Sequence, residues 1–386
     1  FWRSIAVVAL VAVPMMANAN DATIGSEVAY DAMYGGTLMN STAIFNAFPH
    51  LVVENGTGVE LNTMDSGMGK VWWEAYDELW LTMDVGRMDY GMSGSAFMWG
   101  QGWSVVSPFD PVVFENAMMV NLGIAKPTSN GGGWAVGVKL APNGGAESTP
   151  AGGTTGELNW SGYGFNGSWG NGDGFHLGAE FAMTTQEDKD FNAAGTQEIS
   201  NMGFGVNARF DTDTYIYQGN FTYVGESLTA EGAPDDDTTG FGFQVNAGRY
   251  LKNEVGGQAT AEFGIGWAKA GNEFGDPVAK EDASAFLLPA VRVSAWEKIG
   301  DYFGLMGGVG FTYAMTSATF DDGSGAGEDE DKFNFSTFDW SAGLFFQPTD
   351  NVRIDARFEE SNLNQVLSLG NDSPLVMYLG VTVGLN

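Results

Sequence analysis

The chain has 386 residues, with 56 Gly, 27 Phe, 12 Trp, 12 Tyr and no Cys, and a formal net charge of −32. That charge repels a phosphate backbone and excludes nucleic-acid binding, and the lack of thiols excludes thiol catalysis and thiolate metal sites. An exported soluble domain of this length commonly carries disulfides, whereas a closed β-barrel satisfies its edges by hydrogen bonding and needs none.

The opening FWRSIAVVALVAVPMMANAN places Arg3 before an apolar run from Ile5 to Met16, and Ala17-Asn18-Ala19 supplies a small-x-small site. Residues 1–19 therefore read as a signal peptide cleaved after Ala19. No later segment offers about eighteen uninterrupted apolar residues, so a helical inner-membrane protein is excluded. Residues 20–66 break all periodicity: Pro49 ends local regularity and Leu51 to Glu54 reads as a short strand. This segment is either the lead-in to a first strand or a plug within a lumen. Between 67 and 115 the aromatics crowd, and strands are expected at Lys70 to Tyr76, Leu79 to Arg87 and Ala96 to Val105. Rings such as Trp72, Trp73, Tyr76 and Trp80 suit head-group depth and read as an interfacial girdle, although a sugar-stacking platform uses the same residues.

From Met118 the alternation is regular. Val120, Leu122 and Ile124 share one face, as do Trp134, Val136, Val138 and Leu140. A loop at 142–156 precedes a strand around Leu158 to Phe165, whose parity shifts near Gly162 and predicts a bulge. Phe175, Leu177, Ala179 and Phe181 share the next face; a loop at 184–200 and a tight turn at Asp211 to Asp213 follow. The clearest hairpin spans 239–269. Phe241, Phe243, Val245 and Ala247 oppose Gly242, Gln244, Asn246 and Gly248, and Ala261, Phe263, Ile265 and Trp267 oppose Glu262, Gly264 and Gly266. That is period two, with arms of about ten residues, the length a tilted strand needs to cross a bilayer. The apolar face suits lipid and the small polar face a wet lumen, so a cation is rejected at Phe263 and tolerated at Gln244. Acid clusters at Glu231 with Asp235 to Asp237, and at Asp321, Asp322 and Glu328 to Asp331, read as solvated loops. The chain closes on a last alternating strand through Leu379, Val381, Val383 and Leu385.

Catalysis finds no foothold. The two histidines, His50 and His176, lack the neighbouring Ser or Asp of a barrel hydrolase, and His176 reads as an isolated lumenal residue. No enzyme activity, cofactor or metal is expected. The inward faces carry Lys139, Glu180, Arg209, Glu262, Arg292, Asp339, Arg353, Asp355, Arg357 and Glu359. These either line a channel or form an ion-pair ladder against a plug.

The pattern defines an all-β fold: a transmembrane antiparallel up-and-down β-barrel of about fourteen strands, with twelve to sixteen allowed, over residues 67–386. The segment Ser41 to Asn46, a leucine/valine stretch after it and the long alternating strands resemble the FadL/PorV-like (fatty-acid transporter-related) superfamily of outer-membrane barrels. Asn46-Ala47-Phe48-Pro49 stands where that group has Asn-Pro-Ala. The resemblance implies an outer-membrane transporter of hydrophobic substrates with an N-terminal hatch. The residues themselves favour a porin or channel for passive diffusion of small solutes in the outer membrane of a Gram-negative cell; a structural or adhesion barrel with acidic external loops is the third reading. The expected partners are outer-membrane lipid and lipopolysaccharide, the barrel-assembly machinery, a small-molecule solute and, as an option, further copies in a homo-oligomer.

Overall fold

The computed structural model describes Ser26, Ala29 and residues 44–62, 68–87, 118–148, 156–189, 196–231, 236–254, 257–274, 279–321, 329–358 and 376–385. The signal peptide, the strand expected at Ala96 to Val105 and Glu359 lie outside these. Sixteen antiparallel strands are described: β1 (Gly58–Asn62), β2 (Met68–Tyr76), β3 (Leu79–Arg87), β4 (Met118–Pro127), β5 (Gly133–Ser148), β6 (Gly156–Gly170), β7 (Phe175–Lys189), β8 (Thr196–Asp211), β9 (Tyr215–Ala230), β10 (Asp236–Glu254), β11 (Gly257–Phe274), β12 (Ala279–Lys298), β13 (Phe303–Asp321), β14 (Asp329–Thr349), β15 (Val352–Phe358) and β16 (Val376–Gly384). Each pairs with its sequence neighbour, and β16 pairs with β1, so the ring is closed. Closure leaves no ladder edge unsatisfied, which is the condition for a sheet to sit in hydrocarbon. The seam strand β1 falls within residues 20–66, before the expected start of the barrel. Its alternation (Val59 and Leu61 against Glu60 and Asn62) is only five residues long, too short to stand out in the sequence.

Cross-strand register turns the alternation into continuous outer rows. Val138, Phe165, Phe181, Phe204, Tyr223 and Phe241 are successive partners from β5 to β10. Ala247, Phe263, Val291, Phe311 and Phe338 continue the belt to β14. Phe243 is 44%, Val245 51% and Phe263 48% exposed, whereas Gln244 is 1% and Asn246 3% exposed. An apolar outside and a polar, buried inside are the reverse of a soluble protein and fit a barrel in the outer membrane.

The barrel is lopsided. β5 to β14 run from 15 to 21 residues, while β1 has five and β15 seven. Crossing takes about nine to eleven residues, so the long strands stand well clear of the bilayer on one side. They absorb much of what reads as loop in the sequence: β5 continues to Ser148, β7 to Lys189, and Asp236, Asp237 and Asp329 to Asp331 are strand residues. Polar alternation outside the membrane carries no apolar signal, which hides these extensions. At the other end the turns are tight, such as Asp77-Glu78 with φ of 42° and 61°. The expected bulge is present, but on the partner strand: Ala141 pairs with Gly162 and Gly144 with Trp160, so the extra residue lies at Pro142-Asn143 of β5, where a missing N–H is tolerated.

The lipid-face assignment is testable by depth. Phe263→Arg puts a cation within the apolar belt at a cost of about 2–4 kcal/mol and should abolish heat-modifiable folding, while Leu251→Arg, 62% exposed beside the β10–β11 turn, should fold because the cost near the interface falls to about 0–1 kcal/mol. Gln244→Arg, expected from sequence to be harmless, should impair assembly, since Gln244 is 1% exposed and the change puts an uncompensated cation into a buried part of the inner wall.

Candidate functional site in the barrel lumen

Within the ring, Ile44–Ala47 forms one helical turn (α1) and Pro49–Glu54 a 3₁₀ helix. Pro49 opens the latter with a preset φ and no N–H to lose. Leu51 N–H bonds the Phe48 carbonyl and Asn55 N–H the Val52 carbonyl. The strand expected over Leu51 to Glu54 does not form, because a closed ladder offers it no edge and local bonds satisfy the backbone instead. Phe45, Ala47, Phe48, Leu51 and Val52 pack with Trp72 of β2, Trp80 of β3, Ala125 of β4 and Ala135 of β5. Phe45 meets Trp72 edge-on at 5.4 Å. Trp72 and Trp80 thus point inward beneath this segment and belong to no girdle. Exposed rings gather at the tight-turn end instead, among them Trp169, Tyr215, Tyr217 and Tyr302.

Polar bonds fix the same segment to β6 and β7. His50 N–H donates to Ser168 Oγ at 3.0 Å, Ser168 Oγ lies 2.8 Å from His50 Nδ1, and His50 Nε2 lies 3.0 Å from His176 Nδ1. Neutral His50 with its proton on Nε2 satisfies the chain, accepting from Ser168 and donating to His176. Burial, with His176 alongside, pushes the His50 imidazole down to about 3. The wall is glycine where the segment touches it: a Cβ at Gly170 would stand 2.5 Å from His50 Nε2, and one at Gly178 would collide with the Ala47 carbonyl oxygen. The sequence alone presents His176 as isolated. The two partners lie 126 positions apart, and their being the only histidines in the chain was the one hint.

The N-terminal segment also holds the far wall. Ser26 N–H and Ser26 Oγ both donate to Asp355 Oδ2, at 2.9 and 2.8 Å. β15, which carries Asp355, stands eight places from β7 in a ring of sixteen, on the opposite side. Asp355 is fully buried and also accepts from Arg353 Nε at 2.8 Å, while the Arg353 guanidinium stacks 4.2 Å over Phe345.

Of the ten charged positions expected to face inward, Lys139, Glu180, Arg209, Glu262, Arg292, Arg353 and Asp355 are on inner rows and buried. Lys139 pairs with Glu180, Arg209 with Asp211 at 2.6 Å, and Glu262 is the register partner of Arg292. Arg357 is half-buried over the Tyr378 ring at 5.6 Å. Asp339 lies opposite Gly310 in the ladder. The His50–Ser168 contact places a hydroxyl on an imidazole, yet both are buried and the hydroxyl is occupied by the backbone N–H, so the geometry is that of a fastening. Among the described residues no three metal-ligating side chains converge.

No protein-family model matches the sequence, and no curated protein matches it. Among solved structures the chain is similar to the siderophore receptor PiuA from Acinetobacter baumannii, with 13% identity over 63% of this chain and 47% of that one and a TM-score of 0.41. It is similar also to the ferric-catecholate import receptor Fiu of E. coli K12 (10% identity, 78% and 49% coverage, TM-score 0.39) and to OmpT, an outer membrane protein of Vibrio cholerae (13%, 75% and 94%, 0.34). The chain spans about half the length of the two receptors. Its closed ladder and apolar belt define the class, an outer-membrane β-barrel. The FadL/PorV-like resemblance has no family match behind it.

The depressed His50 value makes docking of residues 44–54 pH-dependent. A released His50 protonates near 6.5 and a docked one does not, so docking is at full strength above about pH 6.5 and weakens as pH falls toward about 3, by about 1.4 kcal/mol per pH unit. Hydrogen-exchange protection of these amides in the intact barrel should drop between pH 7.5 and 5.0, and the drop should vanish in His50→Gln. Arg209, register partner of His176, and Asp211 bound to it keep their charges across this range, so an undiminished drop in the Gln variant would assign the titration to His176, the imidazole in contact with His50.

Proposed function

We propose that the protein is a gated outer-membrane channel or transporter for small polar solutes, in which Ser26 and residues 44–54 belong to the plug. The observation that carries this reading is the fastening of two described parts of the N-terminal region to opposite inner walls, Ser26 to Asp355 and His50 to Ser168 with His176, among inward side chains already closed off from solvent. A permanently open porin would leave those rows wet. A FadL-like transporter of hydrophobic substrates shares the N-terminal hatch, but an inner wall of amides and ion pairs penalises apolar cargo. We assign no catalytic role. Lipid and lipopolysaccharide against the apolar belt, insertion by the barrel-assembly machinery and assembly into homo-oligomers belong to the same proposal.

Each fastening can be released without touching an inward charge. Ser26→Pro removes the N–H and the hydroxyl together, forfeiting about 1.5–3 kcal/mol per bond to a charged acceptor. Gly178→Val drives a side chain into the Ala47 carbonyl. Planar-bilayer recordings should show each variant open at least about tenfold more often than the parent while retaining heat-modifiable migration. Folded variants as closed as the parent would overturn the plug.

A further inference from the structure

The inner faces of β8, β9 and β10 carry five amide side chains in adjoining positions. Asn207 lies opposite Asn220, Asn220 opposite Gln244, and Gln218 opposite Asn246. All are more than nine-tenths buried. Gln244 Nε2 donates to Asn246 Oδ1 at 3.0 Å. Asn207 Oδ1, Asn220 Oδ1 and both Oε1 and Nε2 of Gln218, however, have no hydrogen-bond partner among the described residues. Buried amide atoms without partners are rare in folded proteins and mark places where a water, an ion or a ligand group belongs.

The character of this patch restricts what it can hold. The flanking charges are matched in pairs, Arg209 with Asp211 and Glu262 opposite Arg292, so neither an anion nor a cation finds a net field. The unmet groups are three acceptors and one donor, which calls for a ligand rich in donors that also accepts. Hydroxyl groups do both. An apolar ligand would leave all four atoms buried and unpaired, and sites built on hydrogen bonds reject such ligands strongly. The patch adjoins the plug: Gly178, which touches Ala47, is the register partner of Asn207.

We infer that Asn207, Gln218, Asn220, Gln244 and Asn246 form a subsite for a neutral, hydroxyl-rich solute of the small-saccharide class, laid open when the plug undocks. This deepens the transport reading and rests on it. Raffinose is the probe, and binding to the full-length detergent-solubilised barrel is read by saturation-transfer NMR and titration calorimetry, with no transport step involved. Raffinose should bind the parent and bind the Gly178→Val barrel more tightly. Gln218→Leu, which swaps an unpaired amide for an apolar group of similar size and should fold normally, should weaken binding by at least about tenfold. If that variant loses heat-modifiable migration, Asn220→Leu serves as the same test. Absence of raffinose binding, equal binding by the leucine variants, or equal binding of choline or succinate would overturn the subsite. Gating by Ser26→Pro, read separately as conductance, can fail or succeed whatever the sugar does.

Discussion

A sheet in hydrocarbon must have every backbone donor and acceptor paired, and the ring that meets this demand dictates the rest of the molecule. Closing sixteen strands forces alternate side chains outward and inward along each of them, which produces the apolar belt and the polar wall together. It also leaves a lumen too wide for wall side chains alone to fill. The chain fills part of it with its own N-terminal segment. The segment joins the wall at the tight-turn rim, where Leu385 N–H bonds the Thr57 carbonyl and Gly384 N–H the Asn351 carbonyl, so the first and last strands and the end of the plug meet at one seam.

The bonds that hold the segment differ in kind from those that hold the wall. Asp355 keeps Arg353 whether or not Ser26 is present, because that ion pair lies within β15 and rests on the Phe345 ring. Losing Ser26 exchanges two hydrogen bonds for water without stranding a buried charge, which is the costly event in ion-pair disruption. On the other side the contacts are neutral imidazole and hydroxyl groups over an apolar cluster. The proposed gating fits this difference, since a segment held by neutral and shared bonds would leave without breaking the charged wall.

How much of this was legible in the sequence follows from the range of the forces involved. Lipid and water act locally and with period two, so Phe241 to Ala247, Phe263, the end of β2 and both limits of β3 could be read directly. The strand extensions could not, since Asp236 or Glu330 above the membrane alternates with nothing apolar. The lumen was legible in part. Lys139, Glu180, Arg209 and Asp355 show their inward face by parity, but what each meets there depends on the three-dimensional course of the chain. His50 with His176, and Ser26 with Asp355, are pairings across most of the ring that no local pattern encodes. Trp72 and Trp80 show the converse: aromatic enrichment is shared by membrane girdles and by the floor of a plug, so composition could not separate the two.

The tall side of the barrel adds a constraint on what reaches the lumen. β10 to β14 raise Asp236, Asp237, Glu281, Asp321 and Asp331 above the bilayer. Three lysines there are already paired, Lys269 with Asp282, Lys280 with Glu273 and Lys332 with Glu330. The collar therefore keeps a negative field, in line with the chain's net charge of −32, and that field extends about 8 Å at physiological salt before screening removes it. On the proposed transport reading, such a field would repel anions at the mouth and attract cations, and would leave a neutral solute unaffected. Farther in, the ion pairs cancel one another and the amides on β8 to β10 remain. On the same reading the collar would turn away anions, and the uncharged amide wall would favour hydroxyl groups over apolar cargo, which leaves a neutral hydroxylated solute as a class that both admit.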